Sequence, residues 1–541
     1  MYEMELINQH TKGIMEECKV RARESGLKFG DETLEYIVTN RDLIELSPKM
    51  MIPTLYDYWV NDVETLRGKG VYKLYPSNPY ETVINSRPAI SYYNDNNPDW
   101  LNIMIFYHVL AHIDFFQNNK LFRNTWHDDF VGQALADKRM IANLRSEHGR
   151  WTDYVIEFSR SINNLTGYYE SLAVKEFPVE MNFSEKLTFY FEEFLQGIKQ
   201  ASELDVFKEI ERYNKLNDAS EEMIESSFFA EVKIKYPEFN AIYSKKRTPK
   251  TEKSLSVLGF IQANSPSIRK EKNVWMRSVI DVVLNTAMYF EPQIRTKITN
   301  EGWASYWHDK LFRSDERIKG HEVAYAKTNA LVTSLSLVGL NPYAVGLRLI
   351  QHVEDLLNKG KLSNEFNKIS RIQDRREYNQ DTGKGKKGIF KIRENFSDFM
   401  LVNTYVDQDF CDRHNLFVAG KRLDTQRNVT QYYVKSRDAA DYKKMVTDSL
   451  YDPPDIRVVL EKTGDDNLYL RHTFEGKQLI KDFIGDTMLG AEYLWGGQVQ
   501  LETTEKVRKK GNSETEKDQF EEVPVIYTMK NRELSKKVVG S

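Results

Sequence analysis

Two histidines one helical turn apart, His108 and His112 in YHVLAHIDFF, are the residues of this 541-residue chain best suited to chemistry. Side chains four apart share a helix face, so both imidazoles can turn toward one ion. Neutral imidazole is a common ligand of zinc and related divalent ions. Far downstream, Glu301 in NEGWASYWH heads another helix. A carboxylate there would complete a set of two histidines and one glutamate, with a fourth position open. The plainer readings are two hydrogen-bonded core histidines and a helix-start acid favoured by the helix dipole. A zinc-peptidase helix carries glutamate directly after its first histidine as general base. Here that residue is Val109, which cannot take a proton, so the usual peptidase mechanism fails as written.

Other groups stand near this trio in sequence. Asp114, two residues past His112, is a candidate catalytic group or an acceptor that orients a ligand. His308 lies on the same helix face as Glu301 but about 10 Å along the axis. That is too far for both to ligate one ion, which leaves His308 as a candidate acid, base or substrate contact. His321 and Glu322 form a similar candidate. His127 in WHDDF reads as a surface residue, and His10, His148, His352, His414 and His472 fall in no constellation. Gly383, Gly385 and Gly388 spell G-x-G-x-x-G, but DRREYNQDT precedes them where a nucleotide fingerprint needs a buried strand. The chain has no G-x-S-x-G, no Walker A and no cysteine–histidine pairing.

The elements that must position these groups read as follows. A polar opening helix covers residues 1–25, and residues 70–94 mix β-branched and aromatic residues with proline breaks, as one or two strands would. Asn97-Pro98-Asp99 then starts the histidine helix, which is apolar on several faces and therefore central. Helical spacing dominates from 130 to 240, followed by a charged connector at 244–253 and further helices around NEGWASYWH and LNPYAVGLRLIQ. Residues 359–391 read as a charged stretch, either a solvated loop or a partly ordered insertion. Beyond 400, short alternating strands interleave with two helices, as in an α+β domain with helices on an antiparallel sheet. The tail from about 504 reads as charged and mobile, with one strand at 523–529.

Composition narrows the function. Lys and Arg number 76 against 80 Asp and Glu, a net charge of −4 with the signs interspersed, so no basic field for nucleic acid is expected. Only Cys18 and Cys411 occur, which reads as two reduced thiols in a reducing compartment. The N-terminus has no apolar signal segment, and residues 331–340 are too short to span a membrane. The expected location is the cytoplasm.

Several segments resemble the SpoVR (stage V sporulation protein R) family. They are YETVINSRPAISY, the H-V-L-A-H helix followed by FFQNNKLF, YFEPQIRTKITNEGWASYWH, LNPYAVGLRLIQ and a closing LWG-x-x-V-x-L pattern. The resemblance carries His108, His112, Glu301 and His308 onto matching positions, and sets Phe115, Phe116, Asn118 and Asn119 around the site. Where relatives have His-Thr-Asn, this chain has Lys327-Thr328-Asn329, so any role of that histidine is lost or moved. The resemblance implies spore-cortex, stationary-phase or stress physiology, with a PrkA-type serine kinase and a von Willebrand-like protein as partners. Relatives also lack the glutamate after the first histidine.

The expectation is a mainly α N-terminal region (1–400), zincin-like, with a short β segment before the metal helix and the charged insertion at 359–391. An α+β C-terminal domain (401–505) and a charged tail (506–541) follow. Zinc or a similar ion would sit on His108, His112 and Glu301, with Glu301, His308 and Asp114 as candidate catalytic groups. The expected reaction is hydrolysis or transfer at an amide bond of peptidoglycan-related or peptide substrates. The alternative is a non-catalytic regulatory or scaffold protein working with the kinase.

Overall fold

The computed structural model describes residues 5–30, 32–39, 81–125, 130–165, 185–199, 209, 212–213, 221–246, 256–336, 338–424, 429–450, 454–474, 478–509 and 519–539. His127 lies outside the described residues, as does most of the connector at 244–253. The chain forms two compact units, Met1–Glu176 with Leu255–Ser541, and Phe177–Ser254. The latter carries a short helix running into a π-helix, Phe189–Ile198, and two helices, Glu221–Lys235 and Phe239–Lys246. Its core is mostly aromatic, with Phe189, Tyr190, Phe194, Phe228 and Phe239 buried together beside Leu187, Leu195 and Val232.

The larger unit opens with strand β1 (Glu5–Leu6), helix α1 (Gln9–Glu24) and strand β2 (Thr33–Val38). Strands β3 (Glu81–Ile84) and β4 (Ala89–Asn94) complete a four-stranded sheet in the order β1-β2-β4-β3. The β2–β4 pair is parallel, and the other two pairs are antiparallel. A single turn leads from β4 into α2 (Asp99–Asn118), the histidine helix, with Pro98 at its N-cap and Asp99 in its first turn. Every residue from Leu101 to Phe116 is buried. The helix is apolar all round because other elements cover all its sides. Helices α3 (Phe130–His148), α4 (Arg150–Leu165) and α5 (Trp275–Arg295) pack beside one another, and α6 (Lys297–Arg313) lies along α2. Helices α7 (Glu322–Thr333) and α8 (Pro342–Asn358) follow.

The charged stretch at 359–391 is not simply a solvated insertion. Its last residues start α9 (Gly385–Asn395), which packs against α8 and places Ile389 in the same core as α2. The apolar residues there stand at helical spacing among lysines, which conceals them in a composition count. Helix α10 (Asp398–Tyr405) and a short helix, Gln408–Arg413, follow.

In the C-terminal part, β5 (Val418–Asp424) and β6 (Val429–Ser436) form a two-stranded sheet of their own among the described residues. A separate five-stranded sheet runs in the order β11-β10-β9-β8-β7, from β7 (Ile456–Val458), β8 (Asn467–His472), β9 (Gln498–Lys509), β10 (Gln519–Lys530) and β11 (Glu533–Val538). The expected purely antiparallel sheet is corrected at β8–β9, which are parallel. The crossover helix α11 (Lys481–Trp495) between them makes a βαβ unit, which parallel pairing requires. The tail is likewise corrected: β9 and β10 pair from Val499–Met529 to Lys509–Gln519, and β11 extends the sheet. Cys18 and Cys411 are both buried free thiols, and burial pushes each up to about 11.

Candidate metal centre

Helices α6 and α8 meet with little space between backbones. A Cβ on Gly302 would stand 2.3 Å from the Gly346 carbonyl carbon, and one on Gly346 would stand 2.1 Å from the Ile298 carbonyl oxygen. Both are backbone contacts, so no side chain fits. The glycines of N-E-G-W-A and N-P-Y-A-V-G are therefore two halves of one helix crossing, which fixes the position of Glu301. Asp398 anchors the start of α6. Its carboxylate accepts from Ile298 N (2.8 Å), Thr299 N (2.7 Å) and Thr299 Oγ1 (2.8 Å). Asn341 caps α8 by accepting from Tyr343 N and Ala344 N.

This frame brings His108, His112 and Glu301 together. The two Nε2 atoms are 3.0 Å apart, and Glu301 Oε2 lies 3.4 Å from His112 Nε2 and 3.8 Å from His108 Nε2. Ligand atoms of the three all fall within 4.8 Å of one another. Tetrahedral ligands held about 2.0–2.1 Å from a zinc-type ion stand about 3.3–3.4 Å from each other. The observed spacings bracket that value. Glu301 Oε2 is buried and has no hydrogen-bond partner among the described residues.

The outer ring nitrogens point to a single proton arrangement that suits a cation. His112 Nδ1 lies 2.9 Å from Asn300 Oδ1, an acceptor, so Nδ1 carries the proton and Nε2 the lone pair. His308 Nε2 lies 2.9 Å from Asn329 Oδ1, and with its proton there His308 Nδ1 is an acceptor. His108 Nδ1, 2.9 Å from His308 Nδ1, then donates, and its Nε2 also holds a lone pair. In the neutral form of the rings this leaves an Nε2 lone pair on each of His108 and His112, directed beside the glutamate. The Ala304 carbonyl also accepts from the His108 ring. Burial, then the neighbouring His112 and His308, holds His108 well below its ordinary range, and burial lowers His308. Neutral imidazole is the form that binds metal. The residues therefore fit a divalent ion.

The structure sorts the remaining candidates. His308 sits behind His108 and orients it, as its helical distance from Glu301 requires. Asp114 faces away from both histidines. It accepts from Trp303 Nε1 (2.9 Å) and Lys28 N (2.7 Å) and lies 3.5 Å from Arg393 Nε. Two residues is 200° around a helix, so Asp114 cannot share the face of His112. Burial pushes it up to about 6. It holds helices together rather than orienting a ligand. Phe116 stacks on His112, and Phe115 and Phe116 pack against Phe122. Asn118 donates to the Lys28 and Asp114 carbonyls, and Asn119 donates to Arg393 O. His321 stacks on Trp100, and Glu322 accepts from Gly320 N, so this pair serves the start of α7. Lys327 is exposed, and it is Asn329 of the same segment that reaches His308.

Sequence reasoning missed Asn300, Asn329 and Tyr343, whose ring stacks 6.1 Å from His108. Asn300 sits in the glutamate motif and Tyr343 in the NPYAVG motif, so both were within reach. Asn329 lies in the Lys327-Thr328-Asn329 segment that the resemblance singled out, but attention there falls on Lys327.

Fold and site together define a mainly helical protein with two histidines and one carboxylate gathered on two packed helices. A family model described as SpoVR like protein matches residues 3–453, and the chain belongs to this family. The uncharacterized protein YcgB of Escherichia coli (strain K12) is 24% identical over 333 residues, 59% of this chain and 58% of YcgB. The similarity thus covers less than two thirds of that relative's length. No solved structure matches the chain. Among the described residues, no helix is long and apolar enough to cross a membrane.

Proposed function

We propose that the protein binds a divalent ion of the zinc type through His108, His112 and Glu301, and uses it in hydrolysis or transfer at an amide bond. The reading is zincin-like, and the substrates it suggests are peptides or peptidoglycan-related chains in the cytoplasm during sporulation or stress. The observation that carries it is the convergence of two lone-pair nitrogens and one unpartnered carboxylate oxygen, with the outer nitrogens pinned. When bound, such an ion polarises a carbonyl and makes water more acidic. The chain's own part is to hold three ligand atoms, fix both imidazole tautomers through Asn300 and His308, and shield the site with apolar residues of α2.

A second reading keeps the ion structural and makes the protein a regulatory scaffold for a PrkA-type kinase and a von Willebrand-like partner. The absent base at Val109, which is fully buried and apolar, favours it. Metal analysis of the purified full chain tests the first step: about one ion per chain is expected, and His112→Ala should lose it. Stoichiometric metal that survives His112→Ala refutes the site. Complementation of a deletion strain by Glu301→Gln separates the two readings, since rescue fits only the scaffold.

A further inference from the structure

The β5–β6 ribbon exposes more apolar surface than two strands normally carry. Leu423, Val429, Tyr432, Tyr433 and Val434 are each 45–62% exposed. Two strands alone are marginal in water, and a third strand or a helix usually covers such side chains. Residues paired across an antiparallel ladder share a face. Lys421 with Tyr432 and Leu423 with Thr430 therefore lie on one face, and Gly420 with Tyr433 and Arg422 with Gln431 on the other. The Tyr433 ring lies on Gly420, where a Cβ would stand 2.4 Å from its Cζ. Cations and large side chains thus occupy both faces.

Charge is inverted here. Residues 418–437 hold five basic residues and one acid, in a chain whose net charge is −4. Arg422 Nε donates to Gln431 Oε1 (3.1 Å) and Arg437 Nη1 to Asn415 Oδ1 (2.6 Å), both neutral acceptors. Among the described residues no carboxylate pairs with Lys421, Arg422, Lys435 or Arg437, and all four are exposed. Such cations disfavour an identical ribbon alongside and favour an anionic occupant. Their placement also selects its geometry. A strand added at an edge meets side chains on both faces at once, whereas a nucleic-acid base stacks on one face.

We infer that the ribbon is a docking edge for an extended acidic segment of a partner protein, which adds as a third strand beside β5. Two consecutive acidic residues of that segment stand across from Lys421 and Arg422, one on each face, with an apolar neighbour across from Leu423. The backbone ladder supplies affinity, and the charges select the partner. None of these residues belongs to the histidine site, so the inference stands apart from the metal reading.

The test is fluorescence anisotropy of labelled peptides titrated with the full-length protein at physiological salt. The acidic probe is Thr-Val-Glu-Glu-Val-Thr-Val, and its counterpart carries two lysines in place of the glutamates. The acidic peptide should bind saturably and at least about tenfold more tightly than the lysine peptide. Lys421→Glu combined with Arg422→Glu, both on the surface, should reverse that order without lowering the melting temperature. N-methylation at alternate residues of the acidic peptide removes the N–H donors of one edge and keeps the charge. Of the two alternating patterns, one should weaken binding at least about tenfold and the other should not. A single-stranded oligonucleotide of about 12 residues should bind more weakly than the acidic peptide. The inference is overturned by no saturable binding of the acidic peptide, by a preference unchanged in the double variant, by indifference to both methylation patterns, or by tighter binding of the oligonucleotide.

Discussion

Helix α2 carries two buried polar networks, and they are built differently. On one side Tyr107 donates to Asp315 Oδ2 (2.7 Å), which Arg317 also grips through Nε and Nη2, while Asp114 holds Trp303, Lys28 and the Arg393 guanidinium. Each carboxylate there has donors and a cation. On the other side His108 and His112 turn lone pairs toward a carboxylate oxygen that has no donor. Burying polar groups is tolerated when their bonds close. A network that closes on itself serves stability, and one that converges acceptors on a single point serves a cation. The contrast explains why Asp114, so near His112 in sequence, belongs to the framework.

Four changes probe that contrast, from the largest effect to the smallest. Asp114→Ala leaves two donors and the Arg393 charge without their acceptor, and should cost about 3–5 kcal/mol of unfolding free energy by denaturant titration. Metal content of the folded fraction should not change. Gly302→Ala forces two helix backbones apart and should cost about 1–3 kcal/mol, read as a lowered melting temperature. Because the crossing sets Glu301, metal affinity should fall with it. His308→Ala removes the acceptor that fixes the His108 tautomer and should weaken metal binding about 10- to 100-fold in a chelator competition, with a smaller effect on stability than Asp114→Ala. The last change is in pH. Burial pushes Asp398 up to about 7 in the fold, against about 3.9 in an unfolded chain. Its proton is therefore taken up on folding. Its stabilising contribution is full below about pH 4 and is lost as pH rises through 7, at no more than about 1.4 kcal/mol per pH unit. The difference in unfolding free energy between wild type and Asp398→Asn, followed from pH 4 to 8, should show that slope.

Much of the site was legible because its signals are local. Pro98 and Asp99 mark the start of α2, the i, i+4 spacing puts both histidines on one face, and a glutamate at the head of a second helix suggests the third ligand. What stayed hidden depends on long-range partners. Nothing near Asn329 announces that it meets His308, and nothing near Gly346 announces the backbone of Gly302. The C-terminal sheet shows the same limit. Along β9 the inward positions are Val499, Leu501, Thr503 and Glu505, so apolar alternation stops before the strand does. Glu505 is buried because Lys481 and Lys536 pair with it, at 2.6 and 2.8 Å, and Tyr527 donates to it. These partners hold Glu505 down to about 2. A charged tail becomes a sheet edge through pairs that the sequence of one strand cannot display.

The central claim is that two imidazoles and one carboxylate converge on one cation, and X-ray absorption at the metal edge of the purified full chain tests it most directly. The account predicts a shell of nitrogen and oxygen donors at about 2.0–2.1 Å with the outer-shell scattering of two imidazoles, reduced to one in His112→Ala if metal remains. A sulfur shell, or a spectrum unchanged by His112→Ala, would contradict it.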